Sequence, residues 1–499
     1  MTANRSFQFR QASLVPLCGW VWVFAALVWP AQAAAADRPA PGRYAAVPSA
    51  RDPGRLGAGV QRTLTLLATS TQERRNTVRI LFYGQSITEQ EWWKHVVDDL
   101  RSRFPSANLI IENRAIGGFA SQLLIKPAEH DVYPFYPDLM ILHVYGSNGE
   151  YEQLIRNTRS RTTAEVLMLT DHLTQWPPAV IDEKKDKGSW WDDFMNRQFL
   201  PETARKYGCG LAENRGAWID YLKANHLEPR ALLKDGVHLN DHGNYLMAEL
   251  VKRYLVYRPE LGDSSWRDLV RTVELGAGKE PSWNDGVLKL EFEGNRVDLI
   301  AEASPPANSA RARIAIRIDG KKPSEFPGAY AITRPVPPPW SPLALTRVDH
   351  EAPLLIEPWT LTVTAVGADS KTWTFSVAGG LTGPDGEGRS DQPFRSKSGR
   401  VKIAPENWFR GFGKEPVPKG YTIRWHVVPR FTDIFEAPGK ASDHGIEPAV
   451  TAVQGIPSTR HVLELRSKGG SGNTGQPVVL LRAIRIYSPQ VPAAGSGKR

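Results

Sequence analysis

The feature that most constrains this chain is a change of hydrophobic period near residue 258. Before it, short apolar runs alternate with helical patterns. Val78 to Phe82, Leu109 to Ile111, Leu139 to Val144 and Val166 to Leu169 read as strands. Between them, Glu89 to Phe104, Phe119 to Ile125, Glu150 to Arg161 and Trp190 to Lys206 read as helices. This alternation predicts an α/β unit with a parallel sheet covered on both faces. A last helix, His242 to Tyr257, follows the turn-forming Asn240-Asp241, and its stripe of Leu246, Leu250 and Tyr254 is expected to lie on the sheet. After residue 258 the alternation has period 2: Leu288, Leu290, Phe292; Ile314, Ile316, Ile318; Trp359, Leu361, Val363; Trp373, Phe375, Val377. Late runs at Val462 to Leu465 and Val478 to Tyr487 continue it, and roughly ten short strands imply an all-β sandwich or jelly roll. Nine prolines between 323 and 358 suit a long excursion between strands.

The first 33 residues read as an export signal. Arg5 and Arg10 precede an uncharged apolar run from Leu14 to Pro30, and Ala31-Gln32-Ala33 is a small-x-small cleavage site. The run is shorter than the roughly 20 residues that span a bilayer, so no membrane anchor is expected after cleavage. Cys18 does not mark a lipoprotein, because Leu17 is too bulky for the position before it. The expected location is periplasmic or extracellular. Of the two cysteines, only Cys209 would survive, which excludes a disulfide scaffold; it reads as filling a small buried site. Cleavage also lowers the formal charge from +9 to +7, since Arg5 and Arg10 are the only charges removed. That excess, over so long a chain, is no nucleic-acid signature. The expected organisation is a leader at 1–33, an arm at 34–58, an α/β domain at 59–257, an all-β domain at 258–490 and a tail at 491–499.

Four segments bring reactive side chains to the carboxyl ends of predicted strands, the ligand edge of an open α/β sheet. Ser86 lies in Gly84-Gln85-Ser86-Ile87-Thr88, where it is placed either as a nucleophile or as an ordinary helix cap. Glu112-Asn113-Arg114-Ala115-Ile116-Gly117-Gly118 offers two glycines that allow close backbone approach or simply a tight turn. His143-Val144-Tyr145-Gly146-Ser147-Asn148 ends in a carboxamide that serves either as a donor or as a turn residue. In Asp235-Gly236-Val237-His238, an aspartate three residues before a histidine can hold one imidazole nitrogen and leave the other to accept a proton. His242 stands at a helix start and reads as a capping or surface residue. Gly380 to Gly388 is glycine-rich but lacks the Lys-Ser/Thr ending of a phosphate loop and reads as a plain loop.

In this order, Ser, Gly, Asn and Asp-x-x-His over residues 78 to 256 resemble the SGNH hydrolases, also called the GDSL esterase family. The resemblance implies a three-layer α/β/α domain of flavodoxin-like topology and a serine-esterase mechanism. By motif, Ser86 would be the nucleophile, His238 the general base and Asp235 its orienter. The Ser86 and Gly118 N–H groups and the Asn148 side chain would form the oxyanion hole. Gly118 is preferred to Gly117 because it lies five residues after Asn113, as in the family's Asn-x-x-x-x-Gly pattern. Two positions depart from the family: Gln85 stands where it usually has Asp, and Gly149 follows Asn148 where it usually has Asp.

An exported esterase joined to an all-β domain is similar to bacterial carbohydrate esterases, which implies acetyl or related esters on polysaccharides as substrate. Trp92, Trp93, Trp190, Trp191, Trp340 and Trp408 are candidates for stacking on sugar rings. No cofactor and no metal is expected, since serine-ester chemistry needs none and the eleven histidines are scattered. Rival readings are a lipolytic esterase or lysophospholipase of the same fold, and an inactive glycan-binding protein.

Overall fold

A computed structural model describes residues 43–261, 268–276, 278–302, 313–335, 340–368, 370–413, 415–436, 445–468 and 481–490. The expected export signal with Cys18, and the tail at 491–499, lie outside the described residues.

Five parallel strands form the first sheet: β1 (Thr77–Gly84), β2 (Asn108–Asn113), β3 (Leu139–His143), β4 (Glu165–Leu169) and β5 (Gly210–Ala212). Their order is β2-β1-β3-β4-β5, the flavodoxin-like arrangement. Successive side chains of a strand face opposite ways, and two cores follow from that. Val78, Ile80 and Phe82 of β1, with Leu139 and Ile141 of β3, pack on one face under helices that include Trp92–Arg103 and Asp241–Lys252. Leu81, Tyr83, Met140 and Leu142 face the other way, against helices that include Asn148–Arg161 and Leu200–Tyr207. The chain is therefore a three-layer α/β/α unit here, as expected. Leu246 and Leu250 are fully buried on the sheet, whereas the helix ends at Lys252, before Tyr254.

Strand β5 has no counterpart in the sequence reading, because three residues including a glycine and an alanine carry no apolar run. The expected helix from Trp190 to Lys206 is broken into Lys187–Phe194, a π turn at Met195–Phe199 and Leu200–Tyr207. Pro201 lacks the N–H that a regular turn needs, and widening the preceding turn accommodates this. Glu165 is buried at the start of β4 because its carboxylate accepts the Arg62 and Thr63 N–H groups, 2.8 Å each, which open the helix Gln61–Ala68.

Beyond residue 268 the described regular structure is antiparallel sheet with short 3-10 turns. A six-stranded sheet is built around the long strands Val287–Ala301 and Ala449–Lys468. Within it Ile314, Ile316 and Ile318 line one buried face. A five-stranded sheet between residues 330 and 429 has a core of its own, with Trp359, Leu361, Val363, Trp373, Phe375 and Val377. The proline-rich stretch holds two three-residue strands, Tyr330–Ile332 and Leu343–Leu345, among its turns. The glycine-rich segment is not a loop as expected: Gly383–Arg389 is a strand paired with Trp373–Gly379. Side-chain-free positions are needed there, since a Cβ on Gly388 would come 2.6 Å from the Phe394 ring.

The all-β part is tied to the α/β unit by buried polar contacts. His130 lies 3.0 Å from the Ile332 carbonyl through Nδ1 and accepts the Val348 N–H at 3.2 Å through Nε2. Burial pushes its pKa down to about 4, so it acts as a neutral bridge. Arg334 pairs with the buried Asp131 at 2.9 Å and donates to the Arg114 carbonyl at 2.7 Å, so the second part props the loop that leads to Gly118. Arg51, in the arm, ion-pairs with Asp220, and Tyr44 stacks on His242 with ring centroids 4.1 Å apart.

Candidate active site

Strand β1 ends at Gly84, where a Cβ would lie 2.1 Å from the His143 carbonyl of β3, so only glycine lets the two strand ends meet. Ser86 follows as the first residue of the turn Ser86–Glu89. Its hydroxyl lies 2.9 Å from His238 Nε2, and His238 Nδ1 lies 2.8 Å from Asp235 Oδ2. A carboxylate only accepts, so Nδ1 carries the proton and Nε2 is left to accept the Ser86 hydroxyl. The other Asp235 oxygen takes the His238 and Val237 backbone N–H groups at 2.7 and 2.8 Å. The His238 and Val237 amide bonds and the bond from the His238 ring hold the Asp235 carboxyl well below the usual carboxylate range. A serine, histidine and aspartate joined this way can move a proton from the hydroxyl to the imidazole.

Three strand-end loops frame Ser86. Gln85, one of the two departures, is a brace: its Oε1 accepts the Tyr145 N–H at 2.9 Å, joining the ends of β1 and β3. After β2, the Gly117 N–H donates to Glu89 Oε1 at 2.8 Å and is occupied. Gly118 adopts φ +76°, and among the described residues no group accepts its N–H. After β3, Asn148 opens the helix Asn148–Arg161 with its side-chain Oδ1 buried and unpaired. An unpaired buried carbonyl oxygen costs about 1 to 3 kcal/mol, so the site holds an acceptor that its own fold leaves unused. Gly149, the second departure, meets nothing closer than Ser147 Oγ at 3.9 Å, so no contact there requires glycine.

Several residues at the site had no signal in the sequence reading. Gln90 grips Leu239 from both sides, donating to its carbonyl and accepting its N–H at 3.0 Å each, and so joins the serine turn to the histidine loop. Phe412, from the all-β part, lies against Gly118, where a Cβ would come 2.3 Å from its ring. Phe409 stacks edge-on between Phe119 and Phe412, and Trp340, 72 % exposed, tilts on Phe412 at 5.6 Å. These contacts cross between the two parts of the chain, which no local pattern encodes. Of the tryptophans expected at the surface, Trp92 is core instead: it is fully buried and its Nε1 donates to the Ile87 carbonyl at 2.6 Å. Trp93, Trp190, Trp191 and Trp408 are part-buried, and Trp340 alone of the six is largely open. His242 is half-buried, with Nε2 2.6 Å from the Tyr221 hydroxyl, and Asn240 rather than His242 caps its helix. Cys209 is part-buried, and burial pushes its thiol up to about 11. Among the described residues no group of three or more His, Cys, Asp or Glu could hold a metal ion, and no helix is long and apolar enough to cross a membrane.

No family model matches the chain, and no curated protein matches it. Solved structures do. A two-domain esterase active on acetylated mannans is similar over 87 % of this chain and 96 % of its own, at 14 % identity and a TM-score of 0.34. The same esterase co-crystallised with mannopentaose matches over 87 % and 97 %, at 14 % identity and a TM-score of 0.33. An acetylxylan esterase from Geobacillus stearothermophilus is similar over 39 % of this chain and all of its own, at 18 % identity and a TM-score of 0.31.

Proposed function

We propose that this protein is an exported serine esterase that removes acetyl or other short acyl groups from a carbohydrate. The observation that carries the reading is the unbroken chain from Ser86 Oγ to His238 Nε2 and from His238 Nδ1 to Asp235, at the ligand edge of the sheet. In this reading His238 takes the Ser86 proton as Oγ attacks the ester carbonyl. The tetrahedral oxyanion is met by the Ser86 and Gly118 N–H groups and the Asn148 carboxamide. His238 then protonates the departing sugar oxygen, which leaves as a hydroxyl, and water, activated by the same imidazole, releases the acid from Ser86.

The place of Asn148 at the start of the helix after β3 supports a role as a donor through Nδ2. Losing one oxyanion donor typically costs about 2.7 to 4 kcal/mol, so Asn148→Ala is expected to lower kcat about 10²- to 10³-fold with a melting temperature no lower than normal. Near-normal kcat would remove Asn148 from the site. The carbohydrate part of the reading is supported by Trp340 and Phe412, an open aromatic surface reaching Gly118. Trp340→Ala is expected to raise KM for an acetylated polysaccharide about two- to tenfold, the worth of one aromatic contact, while leaving nitrophenyl acetate hydrolysis unchanged. An equal loss on both substrates would place Trp340 outside the glycan path.

The direct test is acetate release from a panel of acetylated plant and bacterial polysaccharides, run beside nitrophenyl esters of increasing chain length. Acetate release with a preference for short chains is expected. A preference for long chains would make the protein a lipolytic esterase, and failure of Ser86 to react with a fluorophosphonate would make it an inactive binding protein.

A further inference from the structure

A second polar cluster lies next to the triad loop. Asp171 and His172 follow β4, and Asp171 Oδ1 accepts three N–H groups: His143 Nε2 at 3.1 Å, His172 Nδ1 at 2.7 Å and the His172 backbone at 2.9 Å. The other ring nitrogen of His172, Nε2, is 2.8 Å from the Val237 carbonyl. Carboxylate and carbonyl oxygens only accept, so both ring nitrogens donate, and only the imidazolium does that. The ring is 1 % exposed, against Trp218, and a cation so placed needs a counter-ion, which Asp171 supplies.

The acceptor matters because the Val237 carbonyl and the His238 N–H belong to one peptide unit. Its oxygen is held by His172 and its N–H by Asp235 Oδ1 at 2.7 Å. Clamping both ends of that planar unit fixes the direction in which the His238 side chain leaves the backbone. We propose that His172, with Asp171 as counter-ion, is a positioning residue whose charged form clamps the Val237–His238 peptide and aims the His238 ring at Ser86. This rests on the esterase reading given above.

The cluster's charges favour that form. Burial lowers the His172 pKa, but the charge of Asp171 and the bonds to Asp171 and Val237 outweigh it and hold the group above its ordinary value. Burial likewise opposes ionisation of Asp171, yet His172 and His143 hold it well below the carboxylate range. Arg215 opposes the imidazolium and is itself paired with Asp192; Asn196 accepts the Asp171 N–H at 2.8 Å. Because the folded value is raised, the clamp is complete below about pH 6.5, the ordinary imidazole value, and is lost as pH rises through the folded value. It therefore forms an alkaline limb of activity.

His172→Gln keeps an N–H able to reach Val237 but cannot titrate. It is expected to keep the acid limb of kcat, lose the alkaline limb, and stay within about threefold of normal at neutral pH. His172→Phe is expected to lower kcat about 10- to 100-fold with KM within about twofold, the scale of a small misplacement of the base, and to speed hydrogen exchange of the His238 amide at least about tenfold. An unchanged alkaline limb in the glutamine variant, or normal kcat in the phenylalanine variant, overturns the proposal. Nitrogen NMR of the inactive Ser86→Ala protein keeps the question open to test without turnover. Two protonated His172 ring nitrogens at pH 6.5 support the clamp, and one overturns it. If the wild-type protein hydrolyses no ester, the esterase reading fails, while the ring spectrum and the His238 amide exchange still decide the clamp.

Discussion

Ser86→Ala is expected to abolish nearly all ester hydrolysis, lowering kcat by about four to six orders of magnitude, because among the described residues no other hydroxyl bonds His238 Nε2. The fold should be undisturbed. Among the described residues the Ser86 hydroxyl bonds only His238, and alanine is a better helix former than serine in the turn Ser86–Glu89. The melting temperature should therefore match that of the wild-type protein, and fluorophosphonate labelling should vanish. Activity within tenfold of normal would mean that the attacking group is elsewhere, and with it the whole esterase reading would fall.

The second large effect concerns the base. His238→Ala is expected to lower kcat by a similar four to six orders of magnitude, because the neutral hydroxyl is a poor nucleophile without a group to take its proton. The combined Ser86→Ala and His238→Ala protein should be no worse than either single variant, since both remove the same step. Multiplication of the two losses, or a mild effect of His238→Ala alone, would separate the histidine from the serine. Mild acidification should leave the Asp235 carboxylate charged. The Asp235 carboxyl is depressed by its amide and ring bonds, so its contribution is present above the ordinary carboxylate value of about 3.9 and fades only as pH falls through its lower folded value.

The first four strands were legible because each carries a short apolar run; burial on both faces demands such runs in β3 and β4 and nearly so in β1, while β2, at the sheet edge, is part-buried throughout. Strand β5 was not, since Gly210-Leu211-Ala212 owes its pairing to β4 rather than to any pattern of its own. The Trp190 to Lys206 helix looked continuous because its apolar spacing survives across the π turn. Ser86, Asp235 and His238 could be singled out by the order of the four motifs, not by any one segment alone, and the fold brings the three within hydrogen-bond distance across 152 residues of sequence. The choice between Gly117 and Gly118 is favoured on structural grounds by Glu89, a residue with no motif of its own, which occupies the Gly117 N–H.

Local physics alone, through hydrophobic period and turn chemistry, determined the α/β unit, the antiparallel part after it, the strand ends that Ser86, Gly118 and Asn148 follow and the loop before the last helix that holds His238. Those signals act over a few residues and can be read along the chain. Tertiary structure decided what surrounds them: Phe412 brought to Gly118 from the all-β part with Trp340 against it, Gln90 gripping Leu239, and His172 reaching the Val237 carbonyl. Each of these contacts joins residues far apart in sequence. Their partners are chosen by packing and by the need to satisfy buried polar groups, and neither exists until the chain has folded.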